Sequence, residues 1–171
     1  MSALTRTPEN TNLLQPTKFL LAFNRSGSVP YFCQTVNIPG MSMGAAPFNT
    51  PTLDINYPGG KLSFNTLNIS FLLDESLTGW KDVYNWMLAL GHPDMNERNR
   101  LLELQGGKRT SDAILTVLTG LNNPIARIQF HDLYPIDLSD VNFDTTMSAD
   151  NVITTTATFN FTYYEVLPLE A

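Results

Sequence analysis

The chain of 171 residues has the length of one domain, and its 43% hydrophobic content is enough for one sizeable core. Aromatic residues make up 11% of the chain and charged residues only 15%, a balance typical of a protein built mainly from β-strands. The formal net charge is −6, and no Lys or Arg follows Arg127. This acidic balance disfavours tight nucleic-acid binding, which depends on neutralising phosphates with Lys and Arg.

The first 16 residues carry Pro, Asn and Thr without periodicity, and they are predicted to form an N-terminal arm that is ordered only when something binds it. Residues 17–171 are predicted to form a single β domain. The arm lacks the apolar core of a signal peptide, and no run approaches the ~18 apolar residues of a membrane span. We therefore expect synthesis in the cytoplasm and no membrane partner.

Two strands, Lys18 to Phe23 and Val29 to Ile38, are predicted on either side of a short polar turn, as an opening hairpin. The stretch from Pro39 to Gly60 is then so rich in Pro and Gly that it excludes a helix and interrupts any central strand. It also carries many apolar side chains, and Leu53 to Tyr57 alternates like a strand. This long loop is expected either to fold back on its own domain or to dock on a neighbour.

The clearest period of two runs from Phe64 to Leu73 and predicts a core strand. Asp74 or Ser76 is predicted to cap a helix from Leu77 to Leu90. Its apolar stripe, and the two tryptophans, are expected to pack in the core. The predicted stripe is Trp80, Val83, Tyr84, Met87 and Leu90.

The segment Glu97 to Leu104 is ambiguous between a short helix and a loop, and Gly106 and Gly107 close it. A second hairpin is predicted from Ala113 to Leu118 and from Ile125 to Phe130, because a turn rich in Gly, Asn and Pro separates these two runs.

The last predicted strand runs from Ile153 to Tyr164 and alternates over its whole length. One face is apolar, and the other is polar, with Thr154, Thr156, Thr158, Asn160 and Thr162. A solvated strand this long needs a hydrogen-bonded partner on each edge. It is therefore either central in a sheet or an exposed edge that is prone to aggregation.

The residues that usually carry chemistry are sparse. The two histidines, His92 and His131, lack metal-ligand spacing, and no nucleophile elbow or phosphate loop occurs. Asp74 and Glu75 are better explained as helix-capping acids, and the single Cys33 as a buried inert thiol. No enzyme, metal or cofactor is expected.

A small basic cluster surrounds the ambiguous segment. It is interpreted as a solvated or salt-bridged face, with an acidic neighbouring subunit as the functional alternative. Its members are Arg98, Arg100, Lys108 and Arg109.

The order of these features resembles the tail tube proteins of contractile-tailed bacteriophages, including their tube-initiating baseplate relatives. The resemblance covers about Pro16 to Leu167, nearly the whole chain, and depends on the order of several common motifs. The matching segments are Val36 to Gly40, Leu67 to Glu75, Trp80 to Trp86, Leu133 to Phe143, and Ala157 to Val166.

The resemblance implies a β-sandwich or barrel-like protomer with one helix, whose sheets join between subunits into hexameric rings. Stacked rings would form a tail tube in the virion, through which DNA passes without specific binding. Sheath, tape-measure and baseplate proteins would be the other partners. The polar residues of the last strand are the ring-forming candidates. Candidate contacts between rings are Leu13, Leu14, Met41, Met43, Phe48, Leu53, Tyr57 and Lys61.

Three alternatives remain open at this point. A tube-initiating baseplate protein and the tube protein of the type VI secretion system would share the same architecture. A monomeric ligand-binding β-barrel would instead need an apolar cavity with convergent polar groups.

Overall fold

The computed structural model describes residues 12–146, 148 and 150–168. Its strands are β1 (Phe19–Phe23), β2 (Cys33–Val36), β3 (Met41–Asn49), β4 (Asp54–Phe64), β5 (Leu67–Leu72), β6 (Ser111–Leu118), β7 (Pro124–Leu138), β8 (Thr154–Asn160) and β9 (Tyr163–Pro168). Its helices are α1 (Ser28–Tyr31), α2 (Thr78–Gly91) and α3 (Met95–Leu104). The prediction of a mainly β chain is confirmed, although two further helices join the predicted one. Residues 1–11 of the predicted arm lie outside the described part, and no described helix is long and apolar enough to cross a membrane.

The main sheet has the strand order β1-β6-β7-β8-β5-β2, and β9 also pairs with β7. Every pairing is antiparallel. The long β7 divides the sheet, because its residues up to Leu133 pair with β6 and β9, whereas Tyr134–Leu138 pair with β8. We call β1, β6, β9 and β7 up to Leu133 sheet A, and we call Tyr134–Leu138 of β7 together with β8, β5 and β2 sheet B.

Both sheets bury one face in the same hydrophobic cluster, to which sheet A contributes Phe130 and sheet B contributes Phe71 and Phe159. The rings of Phe23 on β1 and Phe159 on β8 lie 5.5 Å apart, although two strands separate β1 from β8 in the sheet. The sheet therefore folds over one core. Among the described strands it does not close into a barrel.

The predicted helix is present as α2, and the Asp74 carboxylate accepts hydrogen bonds from the Thr78 N–H at 2.7 Å and the Thr78 hydroxyl at 2.8 Å. The predicted apolar stripe is partly wrong. Trp86 is buried and meets Phe159 at 6.1 Å, whereas Trp80 and Tyr84 stack on each other outside the core. The buried positions of α2 form a stripe beside the predicted one, because the position of the folded sheet decides which side of the helix is covered. They are Gly79, Val83, Trp86 and Ala89.

The prediction of an opening hairpin is also wrong. Ser28–Tyr31 form α1, so the predicted second strand shrinks to β2. Pro30 suits this short helix because it lacks the N–H that a strand ladder would need. The fully buried Val29 anchors the helix in the core. The intervening α1 sends β1 to pair with β6 and β2 to pair with β5.

The long loop from Pro39 to Gly60 is instead most of a β-hairpin. Strands β3 and β4 pair from Met41 with Phe64 to Asn49 with Asp54, and they form a sheet of their own. Proline is tolerated there because both strands are edge strands. The predicted second hairpin is confirmed as β6 and β7, and the ambiguous segment Glu97 to Leu104 is helical.

The predicted last strand is divided into β8 and β9 by Phe161 and Thr162. Its register on β7 nevertheless continues across the break, because Tyr134 pairs with Asn160 and His131 pairs with Tyr163. Asp132, with a φ of 56°, marks the point where β7 passes from sheet A to sheet B. The chain therefore bends at the corner between the two sheets, which periodicity alone cannot reveal.

Candidate assembly surfaces

The outer face of sheet B carries mainly neutral polar side chains. On β8 these are Thr154, Thr156, Thr158 and Asn160, and β5 places Asn68 opposite Thr158 and Ser70 opposite Thr156. The Thr158 hydroxyl donates to the Asn68 side chain at 3.0 Å. The strands of sheet B contain no Lys or Arg, and Asp137 is their one charged residue. This face has hydrogen-bonding groups but no cations to hold a polyanion.

Both edges of β8 are paired within the chain, with β5 on one side and β7 on the other. The sequence left two alternatives for this strand, and the structure places it centrally. Its backbone therefore does not need a neighbouring subunit. Thr162, the last ring-forming candidate, is exposed in the break before β9. A ring-forming role for these residues stays a prediction, and it would have to use their side chains.

Two other strands supply the edges of sheet B. Among the described strands, β2 pairs only with β5, and Tyr134–Leu138 pair only with β8. Unpaired N–H and C=O groups at such edges are templates for another strand. The chain thus presents two complementary edges of a single antiparallel sheet.

The outer half of the β3–β4 hairpin has an apolar face and a polar face. The pairs Phe48 with Ile55 and Ala46 with Tyr57 alternate with Pro47 opposite Asn56. The Phe48 and Tyr57 rings meet edge to face at 6.3 Å, yet they remain 58% and 56% exposed. The other hairpin candidates, Met41, Met43, Leu53 and Lys61, are exposed as well. No other described residue of the chain covers this apolar surface, which is typical of a contact site.

Leu13 and Leu14 lie elsewhere. They are exposed and border a cavity with Leu118, Leu121 and Ile125 at the turn between β6 and β7. Hairpin residues do not line this cavity in the described structure. The predicted contacts between rings therefore form two separate apolar surfaces.

The side chains considered for chemistry occupy structural positions. Burial raises the pKa of the Cys33 thiol to about 11, which keeps it protonated at neutral pH. The His131 ring stacks on Tyr163 at 4.5 Å. Within the described ranges, no three His, Cys, Asp or Glu side chains are grouped so that they could hold a metal ion.

The basic cluster is partly neutralised, because Arg100 pairs with Glu97 at 2.7 Å, whereas Lys108 and Arg109 are exposed. Beside it lies Arg25, which the sequence did not single out. Its guanidinium lies 4.7 Å from the centre of the Trp86 ring, and it donates to the Lys108 carbonyl at 2.7 Å and to the Gln105 side chain. A cavity of about 400 Å³ opens next to it. Arg25 stands in a polar turn in the sequence, so only the tertiary contacts reveal it.

Comparison with known proteins finds a curated relative. The chain is 26% identical over 164 residues to the tail tube terminator protein of Enterobacteria phage T4, and the alignment covers 91% of this chain and 89% of the relative. No family model matches.

The fold is similar to solved structures of contractile injection systems. The tube-terminating cap of the anti-feeding prophage has a TM-score of 0.69 at 9% identity, covering 99% of this chain and 100% of that one. The sheath/tube terminator of an extracellular contractile injection system has a TM-score of 0.67 at 10% identity, covering 92% and 99%. At such identities the likeness shows a shared fold. Together with the phage relative it confirms that this chain resembles the tail tube proteins of contractile tails, tube terminators among them.

Proposed function

We propose that this chain is a structural, non-enzymatic tail protein that forms a ring at the end of the tail tube and terminates it. The observation that carries the proposal is the alignment with a tail tube terminator over nearly the full length of both chains. An assembly role depends on the whole fold rather than on a local motif, so an alignment of this extent is the relevant kind of support.

The two unpaired edges of sheet B support ring formation. When β2 of one copy pairs with Tyr134–Leu138 of the next, the antiparallel order of the sheet continues across the junction. Such head-to-tail contacts close into a ring, hexameric by the family resemblance, and leave no unpaired edge in sheet B. Its outer face, which carries no Lys or Arg, would then line a channel through which DNA passes without being held.

The apolar face of the hairpin is proposed to dock on the adjacent tube ring. Phe48 and Tyr57 are rigid aromatic groups of the kind that anchor protein interfaces. The separate surface around Leu13 and Leu14 remains for another partner among the sheath, tape-measure and baseplate proteins. The protein would be made in the host cytoplasm and act in the virion tail.

A repeating tube subunit, as predicted from the sequence, is the second candidate, because the same exposed hairpin suits stacking of identical rings. In that role many rings would form the DNA-conducting tube.

Copy number separates the two roles. A terminator should be present as one ring per particle whatever the tail length, and this is the expected result of quantitative mass spectrometry on purified particles. The known tube and sheath subunits of the same particles provide the internal standard. A copy number that rises in proportion to tail length would reject the terminator role in favour of the repeating subunit.

A further inference from the structure

The cavity next to Arg25 reaches into the core. It lies between α2, the end of α3 and the segment joining β1 to α1. Its floor is apolar and includes Val29, Trp86 and Phe159, each at most 4% exposed. Arg25 and Asp82 lie at its rim. A cavity with such a floor and a polar rim suits one large apolar side chain from a partner.

The charge at this rim is incompletely matched. Arg25 is half-buried, and both of its hydrogen bonds go to uncharged oxygens. Within the described part of the chain, no carboxylate lies at ion-pair distance from it, and Asp82 accepts a hydrogen bond from Ser26 at 2.8 Å. A partly desolvated cation of this kind favours an acidic partner.

The loop between β7 and β8 carries a matching group. Phe143 is 76% exposed and stands between Asp140 and Asp144. Hydrogen bonds from Thr146 lower the pKa of Asp144, which keeps that carboxylate ionised. The loop therefore offers an aromatic side chain flanked by negative charge.

Strand direction brings the loop and the cavity together. In sheet B, β7 and β5 run one way and β8 and β2 run the other. The end of β7 and the start of β2 thus lie at the same end of the sheet but on opposite edges. If β2 of one subunit pairs with Tyr134–Leu138 of another, the loop after β7 comes to lie beside the segment before β2, which contains Arg25 and α1.

We propose that Phe143 of each subunit inserts into the cavity beside Arg25 of the next subunit, with Asp140 and Asp144 facing Arg25 and Lys108. The inference rests on the proposed ring and names a contact that locks it. The occupant is a second copy of this chain, because its loop supplies both the apolar side chain and the opposite charge.

Cross-linking tests the contact directly. Asn85 is exposed at the cavity rim and Asn142 is exposed next to Phe143, so the full chain with Cys33→Ser, Asn85→Cys and Asn142→Cys should yield a ladder of covalent oligomers with a short bis-maleimide. The matched control replaces Asn142→Cys by Leu121→Cys, because Leu121 is 85% exposed at the turn between β6 and β7. It should yield no ladder.

A second variant measures the strength of the contact. Phe143→Ala should raise the concentration needed for half-assembly at least about tenfold in sedimentation velocity, whereas Leu121→Ala should not. Below the concentration at which the wild type assembles, both variants should melt like the wild type, because both side chains are exposed. The proposed contact alone would be overturned if rings form but the two introduced thiols give no cross-linked ladder. It would also be overturned if rings form equally well with Phe143→Ala. A wild type that stays monomeric at high concentration would overturn the ring as well.

Discussion

The Asp74 side chain caps the N-terminus of α2, because the N-cap residue itself makes no side-chain hydrogen bond. Leu77, the N-cap of α2, has a φ of 54° and no side-chain oxygen to offer. Asp74 reaches forward instead, and its carboxylate accepts two hydrogen bonds from Thr78. The side-chain hydrogen bond from Thr78 is the main cause that lowers the pKa of Asp74. A negative charge at this position also interacts favourably with the helix dipole.

The lowered pKa predicts a pH dependence. Because the folded pKa lies below the unfolded value, the stabilisation is present above the unfolded pKa and is lost as pH falls through the folded pKa. Asp74→Asn should therefore lower the Tm at pH 7, and the difference from wild type should vanish in strong acid. Thermal unfolding followed by circular dichroism from pH 7 to about pH 2 measures this. Glu75→Gln is the neighbouring control, and an equal effect of that change would contradict the assignment to Asp74.

The β3–β4 hairpin depends on a close approach between the backbones of its two strands. Between Met43 and Ala45 the register shifts, and there Gly59 lies against Gly44. A Cβ at Gly59 would lie 2.5 Å from the Gly44 carbonyl oxygen, and this clash is with backbone, which cannot easily move away. A Cβ at Gly60 would meet nothing within 4 Å. The base of the hairpin is held separately, because the Tyr164 hydroxyl donates to the Pro39 carbonyl at 3.1 Å.

Gly59→Ala should thus distort the outer hairpin while leaving the core intact. We expect an almost unchanged Tm, faster hydrogen exchange in β3 and β4, and loss of binding to tube rings. Gly60→Ala is the matched control and should bind like the wild type. Normal tube binding by Gly59→Ala, despite faster exchange, would show that the hairpin does not carry the docking.

Across the whole molecule, the positive charges lie away from the surface of sheet B. The strands of sheet B hold no Lys or Arg, whereas exposed cations such as Lys108 and Arg109 lie beside the helices. If the outer face of sheet B lines a channel, DNA meets hydroxyl and amide groups and the Asp137 carboxylate there, but no cation. Each phosphate then keeps its counterions, so passage lacks the electrostatic hold of a binding protein.

Adding cations to that face should convert it to a binding surface. Assembled rings of Thr154→Lys with Thr156→Lys should retain linear double-stranded DNA at low salt and release it as salt rises, because phosphate contacts release counterions. Leu121→Lys with Asn123→Lys adds the same charge at the turn between β6 and β7. Equal retention by the two variants, measured by gel shift, would place the channel elsewhere.

Local sequence patterns predicted the elements that depend on near neighbours. The alternation of Leu67, Ile69 and Phe71 gave a core strand, and all three side chains are fully buried. The hairpin of β6 and β7 and the helix α2 followed from turn residues and a helical period. The sequence also supplied the apolar anchors Phe48 and Tyr57, although not the strands that display them.

By itself the sequence determined a mainly β chain with one strong helix and with few residues suited to catalysis, because periodicity and composition are local properties. Only the tertiary structure decided which strands pair, since the partner of an edge depends on contacts far away in the chain. It placed the Thr-faced strand at the centre of sheet B, left β2 and Tyr134–Leu138 as its edges, and divided the last strand at a corner. It also brought Arg25 over Trp86 beside a cavity, a juxtaposition of residues far apart in the chain that no spacing rule encodes.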